Sequence, residues 1–265
     1  MWWLAYISLG LFVGFAAGLL GIGGGMIMVP MLAMMFAAQA HFPQNEVLHL
    51  ALGSSIAITS FTTLASLKAH HSRGGVLWDV FSRIAPAALF GTLLGSMLAS
   101  RISAKPLAVF FTVVISCIAA QMMLDAKPKP SRELPGAIGL LMAGVIFGTV
   151  SAILGLAGGA LIVPFLAFCN IKMPNAVGTS AAIGFPIALG GTLGYIYNGW
   201  NYPALPEWCL GFVYLPALLW MIPPSMLMAP VGARLAHHLP VSTLKRAFAF
   251  LLIILACRML WGIFV

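Results

Sequence analysis

The fold class this sequence predicts is an all-α integral membrane protein, built as two homologous inverted repeats. Each repeat has about five membrane elements, with helices broken at Gly-rich knots. Three observations predict it. Of 265 residues, 62% are hydrophobic and only 7% are charged, more apolar surface than a soluble domain can hide. The run from Gly18 to Leu32 (GLLGIGGGMIMVPML) recurs from Ala152 to Leu166 (AILGLAGGALIVPFL). Further matches follow each copy in the same order, as a duplication requires.

The formal charge of +8 does not point to nucleic acid, because the basic residues sit singly in short loops between apolar runs. Such a pattern sets membrane topology. The partner it implies is the lipid bilayer. Met1, Trp2 and Trp3 lack the positive start of a signal peptide, so the first apolar run reads as a retained span. Cys117, Cys169, Cys209 and Cys257 are scattered without CxxC spacing and indicate neither a disulfide framework nor a metal site.

In chain order, the first repeat (1–124) opens with an apolar run from Trp2 to Leu20. The knot Gly21–Gly25 and a short run from Met26 to Ala38 follow. The loop Gln39–Asn45 has no Lys or Arg. A long helix is predicted from Glu46 to about Ala69, then a basic turn from Lys68 to Arg73, a span from Val80 to Ser100, the Arg101–Pro106 turn, and Leu107 to Leu124. Residues 125–135 form a proline-stiffened linker. The second repeat (136–265) retraces this order. Its runs are Pro135–Leu154, Gly159–Cys169, Asn175–Ile196, Trp208–Ala233 and Arg246–Val265. Gly53-Ser54-Ser55 matches Gly178-Thr179-Ser180, and the stretch Gly95–Leu107 matches Gly232–Leu244.

The short runs after the knots fall below the roughly 20 residues that span a bilayer as a helix. If they nevertheless cross, each half has five crossings and the halves are inverted. If they re-enter, each half has four and the halves are parallel. The distribution of the 13 Lys and Arg decides between these. With the linker cytoplasmic, the inverted arrangement leaves only Arg101, Lys105 and Arg258 outside, a split of ten to three, whereas the parallel one gives seven to six.

The knots carry the chemistry. Several glycines together unwind a helix, and unwound backbone inside a bilayer survives only where protein or a polar cavity satisfies it. Paired Gly/Pro-interrupted segments in two halves of a membrane protein point to a transport site. A helix starting at Gly24/Gly25 or Gly158/Gly159 presents unpaired amides and the positive end of its dipole, a ready anion site. Each end is worth about 1–2 kcal/mol when partly buried, too little to strip an anion of water, so further donors are required. Ser54, Ser55, Thr179 and Ser180 supply hydroxyls beside Gly53 and Gly178, which allow close approach. The candidate substrate-binding set is therefore Gly23, Gly24, Gly25, Gly53, Ser54, Ser55, Gly158, Gly159, Gly178, Thr179 and Ser180. Small residues at these places also let helices pack closely. No Gly-Lys-Ser/Thr follows either knot, which excludes a P-loop.

The pairs His70/His71 and His237/His238 fall at helix ends and read as solvated. Arg258 lies close enough to the C-terminus to snorkel. Gln121, Asn170 and Asn175 could line a path. The methionines (Met26, Met28, Met31, Met34 and Met35) read as filler. All five acids, Glu46, Asp79, Asp125, Glu133 and Glu207, sit near helix ends, so proton coupling has no obvious buried carrier. No Ser/His, Cys/His or paired-carboxylate constellation lies at membrane depth, which argues against an enzyme.

The doubled Gly-rich signature, each copy running into Val-Pro, with Gly-Ser/Thr-Ser after each, resembles the TauE/SafE family of sulfite-exporter-like permeases, and does so over essentially the whole chain. Gly21, Gly24, Gly25 and Pro30 fit the first signature; Gly155, Gly158, Gly159 and Pro164 fit the second. Ala157 stands where the first copy has Gly23, so the halves are not equivalent. The resemblance implies a prokaryotic plasma-membrane transporter for sulfite, a sulfonate or a related organosulfur anion, with no cofactor. Alternating access about the paired knots is the expected mechanism. An anion channel, or a transporter of a metal or an uncharged sulfur compound, would use the same half-helices.

Overall fold

The computed structural model describes residues 2–20, 24–124, 133–236 and 241–264. These residues form α1 (Trp2–Leu20), α2 (Gly25–Ala37), α3 (Val47–His71), α4 (Trp78–Arg101), α5 (Ala104–Met123), α6 (Ala137–Ile153), α7 (Gly159–Phe168), α8 (Met173–Gly199), α9 (Leu215–Ala236) and α10 (Val241–Phe264). A small antiparallel hairpin, β1 (Cys209–Leu210) and β2 (Val213–Tyr214), pairs Cys209 with Tyr214 ahead of α9. The protein is therefore all-α apart from this hairpin. Among the described residues, six helices are long and apolar enough to cross a membrane, while α2, α6 and α7 are shorter.

Two sequence expectations change in detail. The span predicted from Trp208 to Ala233 begins only at Leu215, because Trp208 and Gly211 take left-handed backbone at φ 66° and 53° and fold the preceding residues into the hairpin. The last span starts at Val241, before Arg246. The linker 125–132 lies outside the described residues.

Helix direction follows from which residues touch. α1 runs parallel to α9, with Gly10, Gly14 and Gly18 against the carbonyls of Met221, Ser225 and Ala229. α6 runs parallel to α4, with Gly144 and Gly148 against the carbonyls of Ile84 and Ala88. In return, Gly95 of α4 meets Thr149 of α6, and Gly232 of α9 meets Phe15 of α1. α3 and α8 are antiparallel: Gly53 lies by Tyr195, Gly191 by Ile56, and Gly184 by Thr63. These pairings repeat in register. The sequence alignment that matches Gly10 with Gly144 and Gly95 with Gly232 also converts each α1–α9 contact into its α4–α6 counterpart. The halves interlock, because the first helix of each packs along the fourth helix of the other.

The face where α3 begins is called here the near face, and the face where it ends the far face. α9 starts beside the beginning of α3, where the Tyr214 amide donates to Ser54 Oγ (3.0 Å). α1, parallel to α9, therefore ends toward the far face, and α2 carries the chain back toward the near face. α3 is the most enclosed span. Phe90, Leu98, Val113, Ile138, Met142, Leu219, Leu227 and Phe250 form an exposed apolar exterior, as lipid-facing surfaces require.

Candidate functional site

The two knots meet in the interior. A Cβ at Gly25 would fall 3.1 Å from the Gly155 carbonyl oxygen and 3.4 Å from Leu156 Cα, so glycine is what allows the contact. Gly155 and Gly158 take left-handed backbone at φ 62° and 78°, which favours glycine. Gly24 takes ordinary right-handed backbone at φ −77°. At both helix starts the knot carbonyl closes the first turn: Gly24 O accepts from Met28 N (3.0 Å) and Gly158 O from Ile162 N (2.9 Å). Neither start is capped by a side chain. The first amides of α2 and α7 thus have no intrahelical acceptor. Gly21 to Gly23 lie outside the described residues.

Of the hydroxyl motifs, Ser55 reaches a knot directly, while Ser54 and Thr179 hold equivalent places against the segments before α9 and α4. Ser54 Oγ accepts the amide of Tyr214, and Thr179 Oγ1 accepts the amide of Leu77 (2.9 Å), the residue equivalent to Tyr214 in the other half. Each oxygen is occupied as an acceptor, which leaves its O–H to donate. Gly53 and Gly178 let these helices close on the backbone at Phe212 and Gly75, again an equivalent pair. Ser55 Oγ donates to the Gly155 carbonyl (3.0 Å), tying α3 to the second knot. Ser180 Oγ is buried and, among the described residues, has no hydrogen-bond partner. Ser180 shares a helix face with Gly184 and Ile187, which touch the knot at Ala157 and Gly158.

One knot residue was not legible in the sequence. Ser151, on the last turns of α6, is fully buried, and its Oγ lies 3.3 Å from where a Cβ on Gly158 would stand. It has no partner among the described residues. Thr112, on α5, is likewise unpartnered.

A polar cluster at the near face joins the halves. Tyr202, in the connection after α8, donates to Glu46 Oε1 (2.7 Å), and His49 Nδ1 lies 2.9 Å from Glu46 Oε2. His49 Nε2 faces the carbonyls of Ala99 (3.1 Å) and Ile102 (3.0 Å), so it is the donor there. Burial raises the Glu46 pKa, but the bonds from His49 and Tyr202 outweigh it and hold the carboxyl below its usual value. A depressed carboxyl pKa adds stability above the unfolded value, about 4.3. That stability is lost as pH falls through the folded pKa. Glu46→Gln is therefore expected to lower Tm by a few degrees at pH 7, with the gap to wild type closing in acid. Melting curves at pH 7 and pH 4 check this, and an equal gap at both would contradict it.

The remaining candidates lie elsewhere. His70 and His71 occupy the last turn of α3. His237 and His238 are outside the described residues. Arg258 is exposed near the end of α10, Gln121 is exposed on α5, and Asn170 and Asn175 flank the start of α8. Among the described residues no three His, Cys, Asp or Glu gather as a metal site.

Comparison with known proteins agrees with this architecture. The sequence profile described as sulfite exporter TauE/SafE matches residues 6–259. A probable membrane transporter protein of Haemophilus influenzae is 33% identical, with 97% of each chain covered. Proteins of the same description from Xylella fastidiosa and Methanocaldococcus jannaschii are 28% and 25% identical, each pairing covering 96% of this chain and 94% of the relative. No solved structure matches. With its doubled glycine signature, its apolar helices and a profile match over nearly its full length, this multi-pass plasma-membrane protein belongs to the TauE/SafE family, whose members include these probable membrane transporters.

Proposed function

We propose that the protein is a secondary transporter, not an enzyme, that moves sulfite, a sulfonate or a related organosulfur anion across the plasma membrane by alternating access. The site is the pair of knots, with Gly23, Gly24, Gly25, Gly158 and Gly159 giving amides. Ser54, Thr179 and Ser180 give hydroxyl donors, beside Gly53 and Gly178, while Ser55 donates to the Gly155 carbonyl and braces the second knot. The halves are inverted repeats. The antiparallel packing of α3 and α8, equivalent helices, supports this, since parallel repeats would run them the same way. With the linker and the Lys68–Arg73 turn inside, the far face is cytoplasmic.

The observation that carries alternating access is a difference between two equivalent seams. Toward the near face, Gly190 and Gly194 of α8 press on Thr92 and Ser96 of α4, and all four are buried. Their repeat equivalents toward the far face are Ala65 and Ala69 on α3 and Ala229 and Ala233 on α9. Ala69 is exposed, and Ala65 and Ala229 are half-buried. One seam is closed and its twin is not. In an inverted pair, exchanging the two conformations closes the far face and opens the near one.

Ala65→Cys with Ala229→Cys, in a background lacking Cys117, Cys169, Cys209 and Cys257, tests this. These positions are equivalent to Gly190 and Thr92, whose side-chain contact falls within disulfide reach. With a sulfonate as substrate, which unlike sulfite does not cleave disulfides, an added two-electron thiol oxidant is expected to form the disulfide during transport in proteoliposomes and to stop it, with reduction restoring activity. A pair that never cross-links in active protein, or cross-links without slowing transport, would contradict the exchange.

A further inference from the structure

We infer that within the paired-knot site the two ends are unequal, and that the start of α7 holds the anion more strongly, with Ser151 Oγ–H as a donor beside the first amides of that helix. This rests on the transporter reading above and says which end binds more strongly and which side chain selects.

Serines inside helices normally return their hydroxyl to a carbonyl three or four residues back, as Ser60, Ser96 and Ser225 do here. Ser151 does not, although it is fully buried. Its oxygen is turned instead to the Gly158 knot, 3.3 Å from the position a Cβ would take. A buried hydroxyl without a partner is a cost in the empty protein. The cost is offset when an acceptor arrives at the place where the hydroxyl already points. That place is an uncapped helix start, where amide donors and the dipole favour an anion. Gly158 in left-handed backbone, followed by helical Gly159, turns successive amides to one side, a concavity that suits an oxyanion.

The start of α2 is also uncapped, but it lacks the hydroxyl and the left-handed glycine. Ala17 stands in the place of Ser151 and has no hydroxyl. Val13 packs directly against Gly24, where Gly158 has the Ser151 hydroxyl beside Ile187 and Ile162. Gly25 to Pro30 are wholly buried, whereas Gly159, Ala160 and Leu161 keep partial exposure. Among the described residues, the start of α7 is the less enclosed of the two ends.

The ligand class follows from the donors. Amides at the helix start take one oxygen, and Ser151 takes a second on the same group. A sulfite or sulfonate head offers both, and a halide offers only a single centre.

Sulfite binding to the purified protein, measured by calorimetry, tests the assignment. Ser151→Ala is expected to weaken sulfite binding about tenfold, the loss of one neutral donor to a charged acceptor. Ser151→Thr should retain most of the affinity, and Ala17→Ser should leave it unchanged. Size exclusion confirms that each variant is folded. Wild-type affinity in Ser151→Ala, with binding lost in Gly158→Val, overturns the Ser151 assignment and leaves the knot site standing. Binding untouched by either variant, or no sulfite binding to the wild type, overturns both.

Discussion

Gly148→Leu is expected to abolish accumulation of folded protein, and Gly14→Leu to do so equally. Gly148 faces the Ala88 carbonyl and Gly14 the Ser225 carbonyl at distances that leave no room for even a Cβ. The obstacle is backbone, not a side chain that can swing aside. Between membrane helices there is no hydrophobic drive to compensate, since lipid is as apolar as leucine, and close packing of small residues is what associates them. Overpacking alone costs about 1–3 kcal/mol, and separating two interlocked halves also opens the seam along its length. Fluorescence size exclusion of tagged variants reads the outcome. The two substitutions should fail alike because they occupy equivalent places. A monodisperse Gly148→Leu protein would show that the α4–α6 seam does not hold the halves together.

Gly158→Val, alone or with Gly24→Val, is expected to leave a folded protein that neither binds nor transports. At φ 78° a β-branched residue is strained, and its Cβ would meet Ile187, Ile162 and the Ser151 hydroxyl, all side-chain ends that can give a little. The damage is therefore local. It closes the concavity, displaces Ser151 and re-aims the first amides of α7. Gly24→Val adds a collision with the buried Val13 Cγ1 at the other knot, which only a rotation of that side chain relieves. Transport unchanged in correctly folded double variant would sink the paired-knot site.

Helix number, order and most boundaries were legible in the sequence, because apolar run length and glycine breaks are local signals. The α3 helix predicted from Glu46 to about Ala69 spans Val47–His71. The glycine knots were legible as breaks because several adjacent glycines have no other reason to interrupt an apolar run. What remained hidden depends on partners distant in sequence. Gly10, Gly14 and Gly18 fall at every fourth position, a packing signal present in the sequence, yet only the fold shows that α9 is the partner. Ser151 looks like any helical serine until its missing back-bond and its place beside Gly158 are seen. His49 gains its role from carbonyls some fifty residues away. The hairpin before α9 was read as helix because Trp208 to Tyr214 is nearly as apolar as the span that follows it. Local hydropathy does not register Gly211 packed on the Ile196 carbonyl.

Thermal stability of the purified protein across sulfite, sulfate, thiosulfate, sulfoacetate, taurine, phosphate and chloride, in wild type and in Gly158→Val, tests the central claim most directly. Ligand binding to the native state raises Tm by an amount that grows with the logarithm of one plus the ratio of free ligand concentration to Kd. One sulfur anion should stabilise the wild type, with sulfite or a sulfonate well ahead of chloride, and the shift should vanish in Gly158→Val. Equal indifference to every anion, or a shift that survives in the variant, would contradict an anion site at the knots and return those glycines to a packing role.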